Sequence, residues 1–492
     1  MAAAKFPSLY QVNTRVWMTA LSEKLSRKAS LDDIPDSELD KLAAKGFDWI
    51  WLLSVWQTGK RGQEISRANA EWLKEFRDTL PGLKAEDIAG SGFAITAYRV
   101  HEDLGGDEAL ARLRKRLKER GFKLMLDFVP NHTAIDHEWV EKFPAYYIEG
   151  NESLLANEPA NYIKLQGSNG HMILAHGRDP YFPGWPDTLQ LNYGNPDLQK
   201  AMADVLVKIA GQCDGVRCDM AMLVLPEVFQ KTWGISCMPF WSAAIQLVHR
   251  ANPGFHFMAE VYWDLEWRMQ QEGFNYTYDK RLYDRLEEGD ANAVRGHLCA
   301  DKEYQAKMAR FLENHDEPRA AATFADDKHM AAAVITFLSM GLRFFHQGQF
   351  EGRKKRISPH LVRGPVEPVN EKLKGFYEKL LTILQRPALR NGWWQLLEAR
   401  PAWEGNRSNE SFICYAWEGE GEKFIVVVNY SPGHGQSYIS LPFGGLGGRQ
   451  WRLRDLFSDV TYDRAGDELH STGLYLDEEE WKFYVFALEL TD

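Results

Sequence analysis

Short apolar segments, rich in aromatic and β-branched residues, recur along the first ~390 residues with amphipathic stretches between them, a pattern that constrains the fold more than any other feature. They occupy residues 12–18, 49–53, 123–129, 215–218, 255–261, 308–312 and 342–346. The intervening stretches carry helix punctuation. Residues 37–46 end on Gly46, residues 107–120 end before Gly121, and Asn195-Pro196-Asp197 opens a third helix with proline in its first turn. Strands alternating with helices form a mainly parallel sheet, because a right-handed crossover returns each strand beside the last. Such a sheet winds open or closes into a barrel.

Two regions break the rhythm. Residues 136–186 hold Gly, Pro, Asn and His clusters without helical period, among them Gly167-Ser168-Asn169-Gly170, and read as a long excursion after the third strand. From about Trp393 the pattern becomes strands and turns, at 411–417, 423–429, 436–441, 451–455 and 481–488, which reads as an all-β sandwich. Neither an internal repeat nor a low-complexity tail is present.

Composition narrows the function classes. Hydrophobic residues at 45% and charged residues at 26% describe a folded globular chain. No run reaches the ~18 apolar residues of a membrane span, and Met1–Pro7 lacks the apolar core of an export signal. The five cysteines (Cys213, Cys218, Cys237, Cys299, Cys414) are scattered and odd in number, which fits a reducing cytoplasm and neither zinc nor a disulfide framework. A net charge of −11 repels polyphosphate and anionic lipid, so nucleic acid and membranes are poor partners. Aromatic residues make up 13%; flat rings suit sugar faces, though they also fill cores.

Four of the apolar runs end in acids. They are Asp127-Phe128-Val129-Pro130-Asn131-His132, Gly215-Val216-Arg217-Cys218-Asp219, Met258-Ala259-Glu260, and Phe311-Leu312-Glu313-Asn314-His315-Asp316. In a parallel barrel the C-terminal strand ends share one face, and catalysis sits there. One strand-end acid is an ordinary cap or ion-pair partner. Four of them beside Arg and His suggest acetal hydrolysis, which needs an acid to protonate the leaving oxygen and a carboxylate at the anomeric carbon. The two need different pKa values. Arg217, two residues before Asp219, lies on the same side of its strand and would hold that carboxylate ionised. Glu260, between Phe257-Met258-Ala259 and Val261-Tyr262-Trp263, sits in apolar company that would keep it protonated. Asp316 would grip sugar hydroxyls, with His132 and His315 donating to the same ring. Cys218 points away from the site by strand alternation.

These four segments resemble, in order and spacing, the signatures of the α-amylase family of glycoside hydrolases. Asp187-Thr188-Leu189-Gln190-Leu191-Asn192 stands where that family carries an extra motif, and Gly92-Phe93 resembles its stacking aromatic after the second strand. The resemblance spans residues 10–390. It implies a (β/α)₈ TIM barrel over 1–132 and 188–390, an inserted domain over 133–187 after the third strand, and a C-terminal β-sandwich domain over 391–492. It also implies a retaining mechanism on α-glucans or α-glucosides, with Asp219 as nucleophile, Glu260 as general acid/base and Asp316 as transition-state stabiliser. Arg217, His132, His315 and Phe93 are the implied substrate-binding partners. Asn131 matches a calcium ligand of many relatives, but no acidic cluster in 136–186 completes an oxygen cage. No cofactor is required, and structural calcium is the one candidate ion.

The sequence departs from the family at two further points. Met222-Leu223 replaces a Lys-His pair beyond the nucleophile, so acceptor recognition differs. Ala94 follows Phe93 where relatives have an acid. Arg353-Lys354-Lys355-Arg356 follows the last strand and is either an anion site or a solvated, paired loop. His171, His176 and Arg178 either line the cleft or are solvated, and Trp51, Trp56, Trp263 and Trp267 are candidate sugar platforms. Hydrolysis stands beside two alternatives, transglycosylation or isomerisation on the same glycosyl-enzyme and a silent glucan-binding protein. Linkage and oligomeric state are not legible.

Overall fold

Eight short parallel strands close on one another in chain order to form a barrel. They are β1 (Ser8–Asn13), β2 (Trp49–Leu53), β3 (Lys123–Phe128), β4 (Gly215–Cys218), β5 (His256–Ala259), β6 (Tyr276–Tyr278), β7 (Met308–Arg310) and β8 (Leu342–His346). β1 pairs with both β2 and β8, which completes the ring. The computed structural model describes residues 4–167 and 170–491, so Ser168 and Asn169 of the predicted turn cluster lie outside the described residues.

The (β/α)₈ barrel and its C-terminal β-sheet unit agree with the sequence reading, with two corrections to the strands. The first strand was expected at 12–18 but ends at Asn13. There the Asn13 side chain accepts from Val16 N at 3.2 Å and starts the helix Thr14–Leu25, so the apolar residues after it line a helix. The sixth strand was not anticipated, because only three residues, Tyr276–Tyr278, reach the ladder. The helices begin and stop at their signals. Asn195 caps Pro196–Ala210 through Asp197 N at 2.9 Å, and Gly46 and Gly121 take φ of +82° and +83° beyond helices Asp36–Ala44 and Gly106–Glu119.

The barrel carries two excursions. After β3, the pair His132–Ala134 with Thr188–Gln190 ties the ends of the predicted insertion, which holds a hairpin (Tyr162–Gly167 with Gly170–Ala175) and two short helices. After β2 comes a second, unexpected excursion containing the helices Lys60–Ala68 and Ala70–Thr79.

The C-terminal unit is two antiparallel sheets of six and three strands. In Phe412–Gly419, a strand inside the larger sheet, alternation decides what faces what. Phe412, Cys414 and Ala416 join the core shared with the small sheet, while Ile413, Tyr415 and Trp417 join the barrel core. Tyr415 and Trp417 donate to the carbonyls of Val334 and Leu338 on the buried helix Asp326–Leu338, at 2.9 and 2.7 Å. The sheet is thereby bonded to the barrel as well as packed on it.

Candidate active site

Arg217 is the hub of the C-terminal barrel face. On β4 the side chains of Val216 and Cys218 take the other side of the strand and Arg217 turns into the barrel, fully buried. Its Nη1 is 2.5 Å from Asp219 Oδ1, and its Nη2 is 2.7 Å from Glu260 Oε2 and 3.8 Å from Asp316 Oδ2. Its Nε donates to Tyr278 Oη at 3.2 Å, and the guanidinium lies 5.2–5.7 Å from the ring centroids of Phe93, Trp51 and Tyr278. A buried guanidinium is tolerable only when paired, and here three strand ends supply the anions. The structure therefore brings Asp219, Glu260 and Asp316 together on one cation.

Glu260 is held at both oxygens. Oε2 accepts from Met220 N at 2.6 Å and Oε1 from the Tyr262 hydroxyl at 2.8 Å. Burial, only partly offset by Arg217 and reinforced by Asp219 and Asp316, pushes its pKa up to about 8. Met220, directly after Asp219, has φ +42°, an uncommon conformation for a non-glycine residue. That turn aims its N–H at Glu260 and lets Ala221 N donate to the Glu260 carbonyl at 3.0 Å.

The remaining predicted partners surround these acids. His315 contacts Gln11 Nε2 through Nδ1 at 2.9 Å and places Nε2 3.0 Å from Asp316 Oδ2. Burial holds its pKa well below the ordinary value, so the ring is neutral. Phe93 stacks on it at 5.4 Å and 28°. His132 is buried against Trp185 at 5.2 Å, and burial lowers its pKa as well. Asp127, at the end of β3, works beneath the site, where it accepts from Trp51 Nε1 at 3.0 Å and Ser54 N at 2.8 Å.

Asn131 does not fit a calcium ligand. Its side-chain oxygen accepts from Gln190 Nε2 at 3.0 Å, and the same nitrogen donates to the Asn131 carbonyl at 3.0 Å. An N–H donor thus stands where a cation would have to sit. Among the described residues, no group of three or more His, Cys, Asp or Glu is gathered to hold a metal.

A cavity of about 380 Å³ opens over the acids, lined by Phe93, His132, Trp185, Asp187 and Met220, and by Tyr262 beside Glu260. Met222 and Leu223, expected to face the acceptor, are buried in the turn Ala221–Val224; of the residues just after Asp219, Met220 is the one on the cavity. The left-handed turn at Met220 shifts which residue faces the site. His176 is buried, with Nδ1 2.8 Å from Thr188 O; Arg178 bonds Thr232 O; His171 is exposed on the hairpin. Trp51 and Trp56 are buried donors to Asp127 and cannot be sugar platforms, whereas Trp263 is half-buried beside Tyr181 and Trp267 is half-exposed. In the basic run, Arg353 donates to the Glu367 carbonyl and Arg356 pairs with Glu75 at 2.5 Å. Sequence reasoning missed Tyr262, Met220 and Tyr278, which carry no signature apart from their place near the strand ends.

The α-amylase catalytic-domain model matches residues 36–361, about two thirds of the chain. The chain belongs to the α-amylase family. It is 24% identical over 473 residues to the α-amylase MalA of Haloarcula japonica, covering 93% of this chain and 59% of that longer protein. Its fold superposes on the noncanonic maltogenic α-amylase AmyB of Thermotoga neapolitana with a TM-score of 0.70 at 18% identity, over 98% of each chain. Trehalulose synthase MutB superposes at 0.64 and 18% identity, over 99% of this chain and 100% of that one. Likenesses this low in identity fix the fold of this α-amylase family member, and its chemistry has to be argued from the site.

Proposed function

We propose that the protein is a retaining glycosidase acting on α-glucosidic bonds of α-glucans or α-glucosides. One observation carries this reading: a single buried guanidinium contacts Asp219 and Glu260 together, while burial pushes the Glu260 pKa up to about 8. Two acids held on one cation suit the close pair (~5–5.5 Å) that a retaining enzyme uses for direct attack, rather than the wider pair (~6.5–9.5 Å) that seats a water between them.

In the first step an Asp219 oxygen attacks the anomeric carbon as the bond to the leaving oxygen breaks. Glu260 gives its proton to that oxygen, and Asp219 becomes a glycosyl ester. In the second step Glu260, now a carboxylate, takes a proton from water as the water oxygen bonds the anomeric carbon and the ester oxygen departs. Arg217 offsets the charge passing between the two acids, and Asp316, His315 and His132 face the glycosyl ring, with Phe93 beneath it. Both steps are written with protein side chains and water alone. The five unpaired cysteines support a reducing, cytoplasmic setting. Among the described residues no helix is long and apolar enough to cross a membrane.

A sugar hydroxyl replacing water in the second step would give transglycosylation or isomerisation, a reading favoured by the apolar Met220 beside Asp219 and the Trp263–Tyr181 pair in the loops flanking the site. Chromatography of products from maltooligosaccharides, isomaltose, sucrose, trehalose and glycogen separates the two. Only shorter sugars mean hydrolysis, and longer or rearranged ones mean transfer. Asp219→Asn should lower the rate by more than ~1,000-fold with an unchanged thermal midpoint; retention of a tenth of the rate would refute Asp219 as the nucleophile, whereas no turnover of any of these sugars by the unaltered protein would favour a non-catalytic role.

A further inference from the structure

We infer that the excursion after β2 and the loop after β8 are joined into a fixed wall across the glycone end of the cavity, making this an exo-acting enzyme that admits one terminal glycosyl ring. The inference rests on the glycosidase reading above and adds which bonds are in reach.

The wall is made from distant parts of the chain. Ala70–Thr79 presents Trp72 and Glu75 to the cavity, and the loop after β8 presents Arg356 and His360. Arg356 pairs with Glu75 at 2.5 Å, and the His360 and Trp72 rings meet at 4.5 Å. Both pairs span the gap between the two segments.

Beneath that surface the segments are bonded in several independent ways. Ala89 N donates to His360 O and Val362 N to Asp87 O, each at 2.9 Å. Arg363 forks onto the Asp87 carboxylate at 2.7 and 2.6 Å. Phe76, Leu80, Ile88 and Leu361 form a separate apolar core under the joint. A lid that opens must have few such contacts to break. This joint combines paired backbone, a bidentate ion pair and its own buried core, so it stands as a wall.

Its position gives its meaning. Glu260 protonates the leaving oxygen, so the departing sugar lies on the side of Glu260, Tyr262 and Met220. The retained ring lies over Asp219, on the side of Phe93, His315 and Asp316. Arg356 belongs to this second side, since the segment bridged to its loop at Ile88–Leu361 runs straight on into Ser91 and Phe93, which line the cavity with Asp316 and Arg356. The glycone end therefore closes on Glu75 and Arg356, and a chain cannot run past it. A volume of about 380 Å³ is also near the small end of the ~300–1,000 Å³ of small-molecule sites.

The test compares p-nitrophenyl α-maltooligosides with a free or an ethylidene-blocked non-reducing end, followed by chromatography of all fragments. Wild-type enzyme should release single glucosyl units from the free substrate and act at least ~100-fold more slowly on the blocked one. Comparable rates with internal fragments would overturn the wall and leave the glycosidase reading intact. Turnover of neither would remove the proposed function and this inference with it. Glu75→Ala with Arg356→Ala, checked for an unchanged fold by circular dichroism, should narrow the free-to-blocked ratio at least ~10-fold; an unchanged ratio would overturn the assignment to this pair.

Discussion

Tyr262→Phe tests how the site tunes its proton donor. The Tyr262 hydroxyl donates to Glu260 Oε1 at 2.8 Å, a bond that favours the carboxylate over the acid. Removing it should raise the Glu260 pKa from its already elevated value of about 8. A hydrogen bond to a charged group contributes ~1.5–3 kcal/mol, and one pKa unit is about 1.4 kcal/mol, so the upper bound is one to two units. Tyr262 is only half-buried, and water replacing its hydroxyl recovers part of that, which leaves about one unit. The first step needs Glu260 protonated, so activity is present below this pKa and lost as pH rises through it. The assay is kcat/KM against pH, whose alkaline limb reports the free enzyme. The variant's limb should move upward by about one unit, with kcat at neutral pH within ~10-fold of wild type. A limb that stays in place while the rate falls at every pH would show that Tyr262 only supports the loop. A limb that moves downward would show that the hydroxyl stabilises the protonated acid, and would refute the reasoning.

Three further outcomes follow. Asp187 is buried on the cavity wall with Oδ2 unpartnered; Asp187→Ala should raise KM about 10-fold with a smaller effect on kcat if that oxygen receives a sugar hydroxyl, as steady-state kinetics would show. Chelation with EDTA should leave the thermal midpoint unchanged, because Gln190 already fills the position beside Asn131, whereas Gln190→Ala should cost ~1–3 kcal/mol in chemical denaturation by orphaning the Asn131 side-chain oxygen. Trp417→Ala, which removes a fully buried ring and its bond to the Leu338 carbonyl, should destabilise by about 3–5 kcal/mol and lower the unfolding midpoint without changing KM.

What could be read in advance was whatever depends on local period. Asp219 and Glu260 each stand one residue past a parallel strand, and Arg217 two residues before Asp219, so barrel geometry brings them together without knowledge of distant contacts. The same logic failed where the period is interrupted. Asn13 turns a strand into a helix at the point where the apolar run continues, and the left-handed Met220 exchanges the cavity-facing residue for the one expected two positions later. Tyr276–Tyr278 was too short to carry a period at all.

The wall was illegible for a different reason. Glu75 and Arg356 are 281 residues apart, and each looks locally like a solvated charge; only the meeting of two excursions gives either a role. The division is physical. Strand ends are positioned by the barrel and set the chemistry, whereas excursions are positioned by one another and set which substrate reaches it. Substitutions at the two kinds of site should therefore separate in assay. Glu75→Ala with Arg356→Ala should change the ratio between free and blocked substrates while the alkaline limb stays near its wild-type position. Tyr262→Phe should move the limb and leave that ratio alone. A variant of either kind that moved both readouts together would mean that wall and proton donor form one coupled unit, and the division drawn from the barrel would fail.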